Sequence, residues 1–517
     1  MAGFGDTRSL ADVFRAQART RPDSAAQVFG ERVTTYGELD RRASRVANGL
    51  IALGAQPGAR IGYLGKNSDF YFELLVGAVK ANVVLVAVNW RLAPPEAAAI
   101  LNDAGVEILF VGVGFADAAS AIAQAGYATR HRISMDGFAD WRDAQMETDP
   151  MLASAPNDTA FQLYTSGTTG LPKGVEMTNR NMLAFLADYR GESFSGIGPA
   201  DVMLTCMPVF HVAGTNVGVL ALACGCKNVV MEEVSIPGLL DLIPRHGITV
   251  ALLVPAVILA LVQHQDVARA DLRSIRRLVY GASPIAEETV LRAAELLPGA
   301  ELWQVYGLTE TTATGTTLAP AFHAGPGARL RSCGRAYRNV EVRVVGPLGD
   351  ALPAGGVGEI VIRAAAVMKG YWNNPEATRA AFFDGGWLRT GDAGYFDDDG
   401  FLYIHDRIKD MIVSGAENVY PAEVENALFG HPAIADAAVI GVPDERWGEA
   451  VKAIVVLRSG QQASGEAIIE FARGRIAGYK LPKSVDFVPA LPRNPSGKIL
   501  RRELRAPYWA GRTRQVN

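Results

Sequence analysis

The stretch Tyr164-Thr165-Ser166-Gly167-Thr168-Thr169-Gly170-Leu171-Pro172-Lys173-Gly174 carries the strongest local signal in the sequence. Its three glycines let the backbone turn several N–H groups toward one point. Its serine and threonine hydroxyls and its lysine add further donors and positive charge. The spacing of Gly, Lys and Ser/Thr differs from that of a Walker A loop, and an ordinary flexible loop is the competing interpretation. The composition favours a loop that binds a polyphosphate.

Helix and strand patterns alternate through the region before this loop. Apolar spacings of three and four predict helices over residues 10–21 and 36–53. Short buried strands are predicted over 60–64 and 83–88, with a helix over 70–80 between them. Strand, helix and strand without a hairpin turn indicate parallel pairing and an α/β fold. The same alternation returns between residues 202 and 281.

The pattern changes near residue 331. Alternating runs at 340–345 and 358–363, separated by Gly and Pro, predict antiparallel strands. We place an N-terminal domain at 1–405, a hinge at 406–409 and a C-terminal domain at 410–517. Within the last domain we expect a helix, two strands, a helix and a strand at 421–428, 436–441, 449–457, 465–476 and 484–488. The predicted fold class is α/β, with a large N-terminal multi-subdomain α/β domain and a small α+β C-terminal domain.

Composition narrows the class of protein. The chain has 517 residues, which exceeds one ordinary hydrophobic core, and its net charge of −4 predicts no binding to nucleic acid. We see no secretory signal, and the most apolar stretch, 251–262, is too short to span a bilayer. The four cysteines match neither a disulfide framework nor a zinc site, so reduced thiols and a cytoplasmic location are expected.

The phosphate-binding stretch resembles the signature of the adenylate-forming (AMP-binding) superfamily, and the other motifs of that family follow in order. The sequences of its motifs are most similar to those of bacterial fatty-acyl-CoA ligases. The matching segments are Pro208-Val209-Phe210-His211, Tyr280-Gly281-Ala282-Ser283-Pro284, Gln304-Val305-Tyr306-Gly307-Leu308-Thr309-Glu310-Thr311, Trp387-Leu388-Arg389-Thr390-Gly391-Asp392, Asp406-Arg407-Ile408-Lys409-Asp410, Ser414-Gly415-Ala416-Glu417-Asn418 and Pro495-Ser496-Gly497-Lys498.

The resemblance implies roles for individual residues. Catalytic roles fall to Lys498, His211 and Thr309, magnesium binding to Glu310 and Thr168, and coenzyme A binding to Lys409, Ser414, Gly415, Ala416 and Glu417. Tyr306 is implied to stack on adenine, and Asp392 and Arg407 to hold the ribose. The implied ATP- and AMP-binding residues are Thr165, Ser166, Gly167, Thr168, Thr169, Gly170, Lys173, Gly281, Ala282, Ser283, Gln304, Tyr306, Gly307, Thr309, Asp392 and Arg407.

Two half-reactions follow from the resemblance. A carboxylate attacks the α-phosphate of ATP in the presence of Mg²⁺, giving acyl-AMP and pyrophosphate. The small, mobile C-terminal domain then swings about Lys409, withdraws Lys498 and presents the segment from Ser414 to Asn418. Coenzyme A enters, and its thiol takes the acyl group.

One residue departs from the family pattern. Coenzyme A ligases usually have two glycines where this chain has Gly415-Ala416. An alanine costs about 1 kcal/mol if that position needs a positive φ. The transfer to coenzyme A is therefore the less firmly implied half-reaction.

The substrate is predicted to be hydrophobic. Residues 209–219 contain no arginine to pair with a diacid, and 251–262 is apolar throughout. A medium- or long-chain fatty acid is favoured, and an aryl acid of the hydroxycinnamate or benzoate type stays open. Loading of a carrier protein and a catalytically silent nucleotide-binding protein are the rival functions. Peripheral contact with a membrane stays open, and the sequence gives no oligomeric state.

Overall fold

The computed structural model describes residues 7–165, 172–190, 196–324, 329–407, 410–414, 417–444, 446–473, 475–493 and 498–510. Residues 406, 407, 413, 417 and 418 are described by their backbone alone. No helix among these residues is both long and apolar enough to cross a membrane. All four cysteines are free thiols.

Helices occur along the whole chain and mostly alternate with strands in its first 300 residues. The α-helices of the described residues are α1 (Leu10–Thr20), α2 (Tyr36–Ala52), α3 (Asp69–Lys80), α4 (Pro94–Ala104), α5 (Ala116–Gln124), α6 (Phe138–Asp143), α7 (Asn179–Arg190), α8 (Val212–Cys224), α9 (Ile236–His246), α10 (Pro255–Gln263), α11 (Glu287–Leu296), α12 (Pro375–Ala380), α13 (Pro421–Phe429), α14 (Gly465–Ala472) and α15 (Arg501–Trp509).

The strands of the described residues form four sheets. They are β1 (Ala25–Phe29), β2 (Arg32–Thr35), β3 (Arg60–Leu64), β4 (Val84–Val88), β5 (Ile108–Val111), β6 (His131–Ser134), β7 (Thr159–Thr165), β8 (Lys173–Thr178), β9 (Val202–Thr205), β10 (Lys227–Val230), β11 (Val250–Leu253), β12 (Arg277–Gly281), β13 (Glu301–Tyr306), β14 (Thr316–Leu318), β15 (Arg335–Ala336), β16 (Val340–Val345), β17 (Gly358–Ala364), β18 (Gly370–Tyr371), β19 (Phe382–Phe383), β20 (Trp387–Phe396), β21 (Leu402–Arg407), β22 (Ile412–Ser414), β23 (Glu417–Val419), β24 (Ile434–Asp444), β25 (Gly448–Leu457) and β26 (Ser484–Phe487).

Two large sheets build the first part of the chain. One has the strand order β15-β14-β13-β12-β11-β9-β10-β1-β2, and the other the order β18-β8-β7-β4-β3-β5-β6. The central strands of both sheets are parallel, as for β12 with β13 and β3 with β4. Antiparallel strands lie toward the ends of both sheets, among them β14 and β8, each of which is next to an edge strand. Because parallel strands end on the same side, the loops after β12 and β13 meet at one edge.

Helices between the two sheets form the main core. From Gly214 to Cys224, α8 buries every residue, and α3 buries every residue except Phe70. One hydrophobic cluster joins side chains of these helices to side chains of both sheets, for example Leu85 and Val279. A helix that is apolar on all sides is stable only when it is covered on all sides. The predicted layered α/β arrangement is therefore confirmed.

The last part of the chain has two antiparallel-rich sheets. One consists of β16, β17, β20 and β19 with β21 on β20, and the other of β23, β22, β25 and β24 with β26 on β25. The second sheet packs with α13 and α14 around its own core, which includes Val439 and Leu428. A large α/β domain followed by a smaller α+β domain is the predicted fold class. The boundaries at 405 and 410 stay a prediction.

One predicted element end was wrong. We expected a helix over 465–476, but α14 ends at Ala472. Arg473 has φ −62° and ψ 133°, an extended conformation that stops the helix. Arg473 then forms an isolated parallel bridge with Ile476, which fixes the chain outside the helix.

Candidate active site

At the carboxyl end of β13, Tyr306 is paired with Asp392 of another sheet. Tyr306 Oη donates a hydrogen bond of 2.7 Å to Asp392 Oδ2 on β20, and both side chains are buried. Burial raises the pKa of Tyr306, and the neighbouring Asp392 carboxylate adds to the rise. The tyrosine hydroxyl therefore keeps its proton and acts as a donor. The contact fixes the tyrosine ring and one oxygen of the carboxylate.

The strand register brings Arg407 close to this pair. On the antiparallel strands β20 and β21, Asp392 lies opposite Arg407. The backbone N–H of Asp392 donates to Thr390 Oγ1 at 3.1 Å, which fixes the backbone of Asp392. The two residues implied to hold a ribose are thus neighbours in one sheet.

A tight turn follows β12 at the same edge. A Cβ on Gly281 would lie 2.2 Å from the carbonyl oxygen of Val305, so only glycine fits between β12 and β13. Ala282 has φ +70°, a left-handed conformation that costs a non-glycine residue about 1 kcal/mol. Strain of this kind is often found at ligand sites. Ser283 and Pro284 then line a cleft that also contains Lys498.

Gln304 lies on β13 two residues before Tyr306, and Gly307 follows Tyr306 directly after the strand. The Oε1 atom of Gln304 is buried and has no hydrogen-bond partner within the described part of the chain. A Cβ on Gly307 would lie 2.6 Å from the carbonyl carbon of Ala313, so the chain passes closely here. An orphaned buried oxygen beside this edge fits a ligand that supplies a donor.

The phosphate-binding stretch connects two paired strands. Thr165 ends β7 and lies opposite Lys173, the first residue of β8. The predicted phosphate-binding residues Ser166, Gly167, Thr168, Thr169 and Gly170 lie outside the described residues. The pairing of Thr165 with Lys173 therefore fixes the two points at which the connection leaves and rejoins the sheet.

Glu310 lies in a short 3-10 helix, Thr309–Thr311, just after β13. Its Oε1 accepts a 2.9 Å hydrogen bond from Tyr371 Oη. Its backbone oxygen accepts a 2.8 Å bond from the N–H of Met368. Two residues with left-handed backbones follow, Thr312 with φ 54° and Ala313 with φ 64°. The carboxylate is therefore held by a strained, well-bonded turn.

The donor set near Glu310 fits Mg²⁺ better than a soft metal. The described residues contain no group of three or more His, Cys, Asp or Glu side chains able to hold a metal ion. Mg²⁺ commonly takes one or two carboxylates and completes its shell with phosphate oxygens and water. A single glutamate beside a phosphate-binding stretch matches that pattern. Thr168, the second predicted ligand, lies outside the described residues.

His211 precedes α8 and is packed against an aromatic ring. Its ring centre lies 4.8 Å from that of Phe210. Burial, with a smaller effect of Arg91, lowers the pKa of His211 to about 4, so it is neutral at pH 7. Its Nε2 is buried and has no hydrogen-bond partner in the described part of the chain. The ring therefore presents one neutral polar atom in an apolar setting.

Two residues that the sequence analysis did not single out lie near Phe210 and His211. Asn67 Oδ1 accepts from the N–H of Val209 at 2.9 Å, and its Nδ2 donates to the carbonyl oxygens of Met207 and Met231. Arg91 lies 6.0 Å from the centre of the Phe210 ring and forms a 2.7 Å ion pair with Glu233. Both residues lie more than a hundred positions before the segment 209–219, so no pattern within that segment indicates them.

The predicted coenzyme A segment forms a hairpin. Ser414 ends β22, lies opposite Glu417 of β23 and also pairs with Gly448 of β25. Lys409, Gly415 and Ala416 lie outside the described residues, as does the side chain of Glu417. The predicted effect of Ala416 is therefore untested by the geometry.

Comparison with known proteins identifies the family. Residues 14–372 match the family described as AMP-binding enzyme, and residues 423–498 match the AMP-binding enzyme C-terminal domain. The chain therefore belongs to the AMP-binding enzyme family. Its relatives of known name are ligases that join acids to coenzyme A or to a carrier protein. This chain is accordingly an AMP-forming acid–thiol ligase.

Three relatives show the range of substrates. A fatty acid–[acyl-carrier-protein] ligase, ScoC, of Streptomyces coeruleorubidus is 40% identical, covering 99% of this chain and 98% of that protein. A feruloyl-CoA synthase of Amycolatopsis is 38% identical, covering 95% and 97%. The long-chain-fatty-acid–CoA ligase FadD13 of Mycobacterium tuberculosis is 37% identical, covering 96% of both.

Two solved structures confirm the fold. A fatty acyl CoA synthetase of Mycobacterium tuberculosis has a TM-score of 0.78 and 36% identity, covering 97% of this chain and 98% of that one. The ATP-bound MatB of Rhodopseudomonas palustris has a TM-score of 0.88 and 29% identity, covering 97% and 99%. This enzyme therefore has the adenylate-forming fold along almost its whole length.

Proposed function

We propose that this enzyme activates a hydrophobic carboxylic acid with ATP and transfers the acyl group to coenzyme A. The products are acyl-CoA, AMP and pyrophosphate, and a medium- or long-chain fatty acid is the favoured substrate. The observation that carries the proposal is the edge where β12, β13 and β20 meet. There Tyr306 is hydrogen-bonded to Asp392, and Glu310 follows β13 in a short 3-10 helix. The strained turn at Ala282 leads to Ser283, which lines a cleft together with Lys498.

The nucleotide is bound by residues from several strands. Adenine lies along the turn from Gly281 to Ser283 and the ring of Tyr306. The ribose hydroxyls donate to Asp392, whose Oδ2 is already oriented by Tyr306. The phosphates extend toward Lys173 and the rest of the phosphate-binding stretch. Parallel strands commonly place nucleotides at such an edge, outside their carboxyl ends.

Adenylation requires positive charge at the reacting centre. The attacking carboxylate and the α-phosphate are both anionic, and Lys498 supplies a compact cation on a long stem. One carboxylate oxygen bonds to the α-phosphorus while the bond to pyrophosphate breaks. Glu310 and Thr168 would hold a Mg²⁺ ion, which neutralises phosphate charge when bound.

The second half-reaction needs the small domain to move. We propose the division at 1–405, 406–409 and 410–517, with rotation about Lys409. Rotation removes Lys498 from the cleft and brings the hairpin of β22 and β23 to the site. The sulfur of coenzyme A then bonds to the acyl carbon as the carbon–oxygen bond to AMP breaks, and the thiol proton passes to water. Hinges of this kind absorb large backbone changes at a few residues.

The acid pocket favours an apolar acyl group. His211 is neutral, and the segment before it packs Phe210 and Val209 into the core. The charge of Arg91 is paired with Glu233, which also lies 3.0 Å from Lys66. An acid with a second carboxylate would have to compete with Glu233 for these cations. A hydrophobic acid avoids that competition.

Two alternatives are supported by named relatives. The feruloyl-CoA synthase, 38% identical, supports an aryl acid of the hydroxycinnamate type. The fatty acid–[acyl-carrier-protein] ligase, 40% identical, supports transfer to a carrier protein. The departure at Ala416 bears on the same choice of acceptor, because it lies in the predicted coenzyme A segment.

Product analysis separates these functions. The enzyme is incubated with ATP, Mg²⁺, coenzyme A and a panel of acids, and the products are measured by mass spectrometry. The panel contains fatty acids of several lengths, hydroxycinnamates, benzoates and malonate. AMP together with a fatty acyl-CoA supports the proposal, and an aryl-CoA supports the first alternative. Acyl-AMP without thioester, converted only when a carrier protein is added, would contradict the coenzyme A step.

A further inference from the structure

The segment of residues 365–372, here called the strap, joins two parts of the site. On one side, the N–H of Lys369 donates to the carbonyl oxygen of Glu176, and that of Trp372 to Gly174, both on β8. β8 begins with Lys173 of the phosphate-binding stretch. The strap therefore continues the sheet that carries this stretch.

The other side of the strap is bonded to the turn that carries Glu310. The N–H of Met368 donates to the carbonyl oxygen of Glu310 at 2.8 Å. Thr312 Oγ1 donates to the carbonyl oxygen of Ala366 at 2.7 Å. Asn181 Nδ2 donates to the carbonyl oxygens of Ala365 and Val367, which fixes the strap from beneath. The strap thus connects the phosphate-binding stretch to the Glu310 turn through several hydrogen bonds.

Tyr371 makes the same connection with its side chain. Its Oη donates to Glu310 Oε1 at 2.9 Å, and Lys173 Nζ lies 4.9 Å from the centre of its ring. The N–H of Tyr371 donates to Thr378 Oγ1 at 2.9 Å, so its backbone is anchored independently. A cation within about 6 Å of an aromatic face is attracted to it. One side chain therefore touches both the lysine and the carboxylate.

We propose that Tyr371 is the positioning residue that sets Glu310 for metal binding and couples it to Lys173. The hydroxyl occupies one carboxylate oxygen and leaves the other for the ion. The ring keeps Lys173 on the same side as that carboxylate. Residues that hydrogen-bond to a metal ligand fix its orientation and tune its affinity. The proposal rests on the proposed function, because it assigns Tyr371 a role at that nucleotide site.

The main test is the Tyr371→Phe variant, which removes the hydroxyl and keeps the ring. Mn²⁺ binding is measured by electron paramagnetic resonance in the presence of a non-hydrolysable ATP analogue, so no turnover is needed. We expect Mn²⁺ affinity to fall about tenfold, the lower end for loss of a partner of a metal ligand. The Mg²⁺ concentration for half-maximal ATP–pyrophosphate exchange should rise by a similar factor. The KM of the acid should not change.

A matched control is Tyr127→Phe. The Tyr127 hydroxyl is buried and, like that of Tyr371, donates a 2.9 Å hydrogen bond, here to the carbonyl oxygen of Val106 away from the site. This control should lose stability without any change in Mn²⁺ affinity. Tyr371→Leu removes the ring as well and should in addition raise the KM of ATP, because Lys173 loses its contact.

The Glu310→Gln background shows whether Tyr371 acts through Glu310. In that background the Tyr371→Phe change should lower metal affinity no further, since the two residues act as one unit. Unchanged Mn²⁺ affinity in Tyr371→Phe, or an equal loss in both backgrounds, would overturn the positioning role alone. A wild-type enzyme that binds no metal–nucleotide would overturn the proposed function itself, and the role of Tyr371 with it.

Discussion

Tyr306 Oη donates a 2.7 Å hydrogen bond to Asp392 Oδ2, joining the end of β13 to the middle of β20. The two residues are 86 positions apart in sequence and belong to different sheets. The bond holds the Tyr306 hydroxyl against the carboxylate of Asp392. The two residues to which we assign adenine stacking and ribose binding are therefore linked through one hydroxyl.

Tyr306→Phe should weaken ATP binding more than it slows chemistry. The change removes one donor from a buried carboxylate, which costs about 1–3 kcal/mol. We expect the KM of ATP to rise by about tenfold, with a smaller fall in kcat. Steady-state kinetics at saturating acid measure both values.

Tyr36→Phe is a suitable control for this change. The Tyr36 hydroxyl is also buried, and it donates to the carbonyl oxygen of Cys226 at 2.7 Å. It should cost stability and leave the KM of ATP unchanged. An equal rise of that KM in both variants would refute a specific link between Tyr306 and the nucleotide.

Lys498→Ala should affect the two half-reactions unequally. Removing one preorganised charge from the transition state typically costs about 10²–10³ in rate, and we expect that loss in adenylation. Transfer from a synthetic acyl-adenylate to coenzyme A should stay within about twofold of wild type. The exposed lysine at position 483, on the same domain, supplies the control variant Lys483→Ala. Equal losses in both half-reactions would contradict withdrawal of Lys498 after the first.

The turn after β12 predicts opposite effects at two adjacent positions. Ala282→Gly relieves a φ of +70° and should raise the free energy of unfolding by about 1 kcal/mol. Gly281→Ala forces a Cβ to 2.2 Å from the carbonyl oxygen of Val305 and should lower both stability and ATP affinity. Chemical denaturation and nucleotide binding test the pair. A stabilised Gly281→Ala variant would show that the turn is not tightly packed.

His211 predicts how stability depends on pH. Burial lowers the pKa of His211 to about 4, against about 6.5 in the unfolded chain. As the pH falls from 6.5 to 4, the unfolded chain takes up a proton here that the folded chain does not. The folded state therefore loses stability, by up to about 3 kcal/mol from this group. Above pH 7 the titration of His211 changes stability little, because the histidine is then mostly neutral in both states.

The His211→Leu variant isolates that effect. Denaturant unfolding is measured for both proteins between pH 4 and pH 7. The variant should lose less stability than wild type as the pH falls, because it no longer contains the titrating group. Parallel curves would mean that His211 is not buried as the structure places it.

The elements predicted best were those that local patterns specify. The parallel pairing of β3 with β4 was predicted from the order strand, helix, strand without a hairpin turn. The antiparallel pairing of β16 with β17 was predicted from two runs of alternating residues that Gly and Pro separate. The end of α14 was missed because apolar spacing continued to residue 476 after the backbone had left the helix at Arg473.

The missed site residues act across long separations. Asn67 contacts Val209, Arg91 contacts Glu233, and Tyr371 contacts Glu310. A pattern within one segment shows what that segment contains but not which distant side chain meets it. The motifs therefore supplied candidate reacting groups, whose roles stay predictions, whereas the contacts between distant side chains required the tertiary structure.

The most direct test of the account follows the oxygen atoms of the acid. The enzyme is supplied with ATP, Mg²⁺, coenzyme A and an acid whose two carboxyl oxygens are ¹⁸O. If the carboxylate attacks the α-phosphate, one labelled oxygen must leave with AMP when the thioester forms. Mass spectrometry should then find AMP with one ¹⁸O and unlabelled pyrophosphate. Label in inorganic phosphate with formation of ADP, or AMP without label, would contradict the acyl-adenylate.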